Sequence, residues 1–301
     1  MAITSLPKSP ITMDINKLPE GEVIVVNGLP KGGKTTMAAS WPDNLIIEVE
    51  RSGAKWVRGA YVVEPKNTKD VDQTIKLLKV DTRFKCITLD TVDSLSLWIE
   101  KDICKKYKVS CISLAGGGYG IGRNELNTRL INIIDDLIEL SKTLILITHC
   151  RDDKGSKALL LTETLYTYIQ GKASIIGYAY KDIKGSKMEY LIDWGGKGTA
   201  VSGSRHPKFA RAGITPNNFS AIKELFAPKP KKWDDMLKWY RKRGIDTNDY
   251  TQYICDKYEE EVHLDSLTPD EVNELLSLGG QHTKNEELFN AFQKKYASNK
   301  E

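Results

Sequence analysis

The chain has 301 residues, 40% of them hydrophobic and 28% charged, with a formal net charge of +4. No apolar run approaches the roughly 20 residues that span a bilayer, and the opening stretch MAITSLPKSPITMDINKLPEGE has no apolar signal-peptide core, so no membrane partner and a cytoplasmic location are expected. The charge is too small to argue for nucleic acid by itself. The 5 cysteines have no CxxC spacing and the 4 histidines are scattered, which argues against a disulfide framework or a zinc site.

In chain order, residues 1–20 read as an arm, with Pro7, Pro10 and Pro19 and no helical period. EVIVVNG (22–28) is an apolar, β-branched run ending in glycine, the pattern of a buried strand. A helix is predicted from about Lys34 to Ser40, closed by Pro42. NLIIEVE (44–50) and FKCITLD (84–90) read as strands, with a helical pattern at 71–80 between them. An amphipathic helix follows at 92–107, then a flexible glycine-rich loop, SLAGGGYGIG (113–122). The longest helix is predicted at 123–142, and TLILITHC (143–150) as a fourth apolar strand. Residues 172–196 read as a hairpin turning at Lys184-Gly185-Ser186, and Thr215-Pro216 as a helix start. Alternating strands and helices predict an α/β fold with a mainly parallel central sheet. Three parts are expected: an arm at 1–20, a core at 21–227, and a basic linker with a small all-helical module at 228–301.

The chemistry concentrates between the first strand and its helix. Gly28, Leu29, Pro30, Lys31, Gly32, Gly33, Lys34 and Thr35 fit the spacing GxxxxGK[ST], with Thr36 next. Glycines let such a loop wrap so that backbone N–H groups point at phosphate oxygens. Lys34 would reach the β- and γ-phosphates of a nucleoside triphosphate, and the Thr35 hydroxyl would ligate Mg²⁺. Lys31 either touches phosphate or stays solvated. Asp90, ending an apolar strand, has the Walker B arrangement that holds Mg²⁺, and could equally cap the helix beginning near Val92. Glu48 and Glu50 end the second strand; Glu50, nearer the end, is the candidate general base for an attacking water. His149 ends the fourth strand, where a polar group can sense the γ-phosphate; a core histidine is the alternative reading.

The second long loop carries Arg151, Lys154, Lys157 and Lys172 interleaved with Tyr166 and Tyr168, a mixture that suits single-stranded nucleic acid. Asp152, Asp153 and Glu163 offset that charge, so a solvated loop is as good a reading of the residues alone. PKPKKWDDMLKWYRKRG (228–244) is denser in cations and rings; it either binds DNA or docks its aromatics on the core.

This order of motifs (P-loop, strand-end glutamate, Walker B aspartate, glycine-rich loop, long helix, strand-end sensor) resembles the RecA-type core. It is most similar to the phage-encoded RecA-like ATPases of the single-strand annealing type. The segments that carry the resemblance include GLPKGGKTTMAASWP, LIIEVERSG, ITLDTVDSL and TLILITHC, within about residues 20–227. The resemblance implies ATP with Mg²⁺, a DNA-dependent ATPase that binds and anneals single-stranded DNA, and a filament or ring of identical subunits. Lys34, Thr35, Asp90, Glu50 and His149 take the matching positions, and the loops at about 111–122 and 151–172 face DNA. A neighbouring subunit would supply a cation, for which Lys184, Lys187 and Arg205 are candidates. Two other classes stay open: an ATP-dependent scaffold or loader whose C-terminal helices hold a protein partner, and a P-loop small-molecule kinase.

Overall fold

The structure is a computed structural model of the chain and describes residues 21–50, 53–153, 156–184, 187–195 and 201–226. The chain divides into two compact units, Met1–Phe226 and Ala227–Glu301. The second unit lies outside the described residues, as do the basic stretch 228–244 and the expected helical module.

The elements are β1 (Glu22–Gly28), α1 (Lys34–Ala39), β2 (Asn44–Glu48), β3 (Tyr61–Val63), α2 (Thr68–Leu78), β4 (Cys86–Asp90), α3 (Val92–Tyr107), α4 (Ile121–Leu140), β5 (Thr143–Asp153), β6 (Ser156–Leu159), α5 (Glu163–Lys172), β7 (Ile175–Lys184), β8 (Lys187–Asp193), β9 (Gly203–Ser204), α6 (Pro207–Ala212), β10 (Ile214–Pro216) and α7 (Phe219–Glu224). Across the sheet the order is β10-β8-β7-β1-β5-β4-β2-β3; off that path β6 pairs with β5 and β9 with β7. From β7 to β3 the neighbours run parallel; β8 and β10 add on antiparallel. The expected α/β class with a mainly parallel central sheet is therefore what the chain adopts.

Alternation of side chains splits the strands between two cores. On one face, Val23 and Val25 of β1 and Leu144 and Leu146 of β5 pack beneath α2, α3, α4 and α5. On the other, Ile24, Val26, Ile145 and Ile147 pack with Met37 of α1, Phe209 of α6 and Ile222 of α7. Both faces of β1 and β5 are covered, so these strands read as continuous apolar runs rather than alternating ones.

Several elements differ from the sequence reading. The second strand stops at Glu48, because the N–H groups of Val49 and Glu50 both turn to the Asp90 carbonyl. The fourth strand does not stop at Cys150 but runs to Asp153, because β6 folds back on it antiparallel. The glycine-rich stretch is not a plain loop: Ile112–Gly117 forms 3₁₀ turns that bury Ile112 and Ala115, and α4 opens at Ile121. Thr215-Pro216 does not start a helix but ends edge strand β10, where a residue without an N–H does no harm; α7 begins instead at an Asn218 cap.

Candidate nucleotide site

Parallel register gathers the candidate residues at the C-terminal edge of the sheet. Gly28 lies opposite His149 on β5, Asp90 opposite Ile147, and Glu48 opposite Asp90. β5 thus stands between the P-loop strand and the strand ending in Asp90, and carries His149 level with Gly28. Crevices at the carboxyl ends of such sheets are where open α/β folds take ligands.

The loop Gly28–Gly33 is pressed against β7. A Cβ on Gly28 would lie 2.2 Å from the Ala179 carbonyl oxygen, so no other residue fits there without moving backbone. Gly33 has φ 84° and caps α1 in the left-handed region, which glycine adopts at no cost. Leu29, Pro30, Lys31 and Thr36 are exposed, whereas Gly32 is buried. The Lys34 side chain is buried and donates to the carbonyls of Gly28 and Leu29, each at 3.0 Å. Burial pulls its ammonium below the usual range, and Asp90, Glu50 and Asp93 oppose that pull. The Thr35 hydroxyl donates to Asp90 Oδ2 at 2.7 Å. Asp90 is 2% exposed, and its carboxyl is pushed up to about 6, first by burial and then by Glu50 and Glu48, against the Thr35 hydrogen bond and Lys34. The helix cap that Asp90 could have supplied is made by Thr91, whose hydroxyl accepts from the Ser94 N–H.

Glu50 is partly exposed, with one carboxylate oxygen 3.7 Å from His149 Nε2. Glu48 faces inward: its Oε1 accepts from the N–H groups of Gly53 and Ala54, both at 2.7 Å, and so pins the backbone just after Glu50. His149 is held by a residue that sequence reasoning passed over, Asp93. Its Oδ1 accepts from the His149 N–H and its Oδ2 faces ring Nδ1, both at 2.9 Å. The Asp93 hydrogen bond raises the His149 imidazole above its ordinary value against burial and Lys34. Burial would raise Asp93, yet the hydrogen bonds from His149 prevail and hold it below the usual carboxylate range. A second acid three residues past Asp90, in TVDSL, was the available signal.

Among the described residues no group of three or more His, Cys, Asp or Glu side chains could cage a metal ion. The site nevertheless fits Mg²⁺ delivered with a triphosphate, which needs one hydroxyl, one carboxylate acting through water, and phosphate oxygens. The Thr35–Asp90 pair supplies the hydroxyl and the carboxylate, and the glycine cradle and buried Lys34 ammonium would hold the phosphates.

A family profile described as AAA domain matches residues 20–204. The chain belongs to this family of P-loop ATPases. This AAA-domain protein is similar to the SPbeta prophage-derived uncharacterized protein YorG of Bacillus subtilis strain 168, with 27% identity over 143 residues, 46% of this chain and 44% of that one. The chain therefore spans less than half the length of that relative. Among solved structures it is similar to the KaiC-like protein PH0186 of Pyrococcus horikoshii OT3, at 16% identity over 58% of this chain and 79% of that one, with a TM-score of 0.37.

The expected DNA-facing residues separate. Arg151 is exposed on the β5–β6 hairpin; the side chains of Lys154 and Lys157 lie outside the described residues. Lys172 ends α5 instead, with Nζ 3.2 Å from Asp135 and 5.4 Å from the Tyr168 ring centre. The Tyr168 hydroxyl also donates to Asp135, so that ring docks on α4. Of the cations expected to serve a neighbouring subunit, Lys187 pairs with Glu189 at 2.6 Å and Arg205 donates to the Gly171 carbonyl at 3.1 Å. The Lys184 side chain lies outside the described residues. No helix among the described residues is long and apolar enough to cross a membrane.

Proposed function

We propose that this protein is a Mg²⁺-dependent ATPase, stimulated by single-stranded DNA, that binds and anneals single strands in phage recombination and works as a homo-oligomer. The observation that carries the reading is β5: one strand bears His149 at the candidate γ-phosphate position and continues directly into the exposed Arg151 hairpin. The order of motifs along the chain and the prophage-derived relative support it.

In this reading, Gly28 to Thr36 cradle the triphosphate through backbone N–H groups and Lys34 neutralises the β- and γ-phosphate oxygens. Thr35 and Asp90 would hold Mg²⁺, which would supply positive charge to offset what develops on the phosphate oxygens. Glu50 takes a proton from the attacking water. His149 on β5 faces Glu50, which follows β2 on the far side of β4, and reports the γ-phosphate to the hairpin, where Arg151, Lys154 and Lys157 meet the DNA backbone.

The test is fluorescence anisotropy of labelled single-stranded DNA with ATP, with ADP and without nucleotide across a salt series, run beside ATP turnover. ATP-dependent, salt-sensitive binding with faster turnover supports the reading. Absence of DNA binding under every nucleotide, with the protein folded, overturns it in favour of a scaffold or loader. Lys34→Ala is expected to remove ATP binding; retained affinity would refute the site itself.

A further inference from the structure

Asp93 sits in the first turn of α3, where an acidic side chain ordinarily answers free helix N–H groups. Here the cap is Thr91, and both Asp93 carboxylate oxygens reach across to β5 and meet His149. The Asp93 side chain is 8% exposed and that of His149 is 14% exposed. Burying a carboxylate is costly, and it is tolerated only with specific partners. The partners are the backbone N–H and ring Nδ1 of one residue, so the main chain and the side chain of His149 are fixed together. With Nδ1 engaged inward, Nε2 points outward, 3.7 Å from Glu50.

We infer that Asp93 is a positioning residue for the hydrolysis site: by accepting from the main-chain N–H and from Nδ1 of His149 it fixes the ring's rotamer and its Nδ1–H form, and so aims Nε2 at Glu50 and the reacting phosphate. This rests on the ATPase reading above for its kinetic consequence, but not for its geometry. A carboxylate can accept two N–H bonds at once, whereas an asparagine side chain offers one acceptor and one donor group. In Asp93→Asn, if the carbonyl keeps the main-chain N–H, the amide turns a donor toward Nδ1. The ring then gives up its Nδ1 proton and keeps one on Nε2. Which ring nitrogen carries the proton is set by the hydrogen bond the other makes.

Two measurements test this. Long-range ¹H–¹⁵N spectra of the imidazoles, with His149 identified by its loss in His149→Gln, are expected to show a protonated Nδ1 in the wild type and a bare Nδ1 in D93N. An unprotonated Nδ1 in the wild type overturns the inference, and that spectrum decides it even if D93N does not fold. Next, a double-mutant cycle compares D93N in wild-type and H149Q backgrounds. The expected result is a kcat loss on the order of tenfold with the KM for ATP held within about twofold, and little further loss in H149Q. An equal loss in both backgrounds means that Asp93 merely stabilises α3, and overturns the inference. A wild type without ATP turnover sinks the ATPase reading alone, since the ring spectrum needs no hydrolysis.

Discussion

Asp90 is a carboxylate kept where water hardly reaches, beside one ammonium and two other acids. Its carboxyl titrates at about 6 in the folded chain against 3.8 in a free one. The folded state therefore holds its proton more tightly, so stability is greatest below the lower value and falls as pH rises through that window. Above it the ionised group costs on the order of 3 kcal/mol. Asp90→Asn is expected to melt at a higher temperature than the wild type at pH 8 in nucleotide-free protein, with the gain shrinking toward pH 4. A lower melting temperature at pH 8 would contradict this. Stability lost for the sake of a site is a usual trade. Glu50→Gln is expected to leave ATP affinity in place while turnover falls on the order of 10²-fold, the share of a general base; equal losses in affinity would mean that Glu50 holds ground-state nucleotide. Lys34, Thr35, Asp90, Glu50 and His149 could be nominated from the sequence because each follows a fixed spacing or closes an apolar stretch, and parallel register gathers their strands' ends at one edge of the sheet. Asp93 was not, since its partner lies 56 residues away and hydrogen bonding leaves no period in a sequence.

At the scale of elements, burial on both faces decides what could be read. β1, β4 and the first half of β5 announce themselves as largely apolar stretches, and α3 shows its period over the full Val92–Tyr107 span. β3 was missed because three residues at a sheet edge carry too little pattern, and β10 was misread because a Thr-Pro pair suits an edge strand as well as a helix start. α2 starts three residues before its apolar period, at the Asn67 cap, whose side chain accepts from the Lys69 N–H at 2.9 Å. The α4 helix joins the layers: Leu130 and Ile134 are fully buried against the sheet and its helical neighbours. Leu130→Ala is expected to cost about 3 kcal/mol in denaturant unfolding. A change under about 1 kcal/mol would mean that α4 is not part of the core described.

At the scale of the molecule, the candidate strand-binding surface is sorted by charge already spent. Lys172 answers Asp135, while Arg151 stands exposed on the hairpin. Arg151→Ala is expected to weaken single-stranded DNA binding several-fold and to flatten its salt dependence by nearly one unit of slope, whereas Lys172→Ala leaves both within error. The reverse ranking in an anisotropy titration would move the surface from the hairpin to the end of α5. β5 has a mechanical consequence as well. Up to Ile147 it is clamped between β1 and β4, and from Cys150 onward its strand pairing is with β6. It is a beam fixed in a wall with its last few residues cantilevered, about 13 Å from His149 to Asp153 at strand rise. On the reading proposed above, a load on the hairpin bears on the root of that beam, where His149 sits.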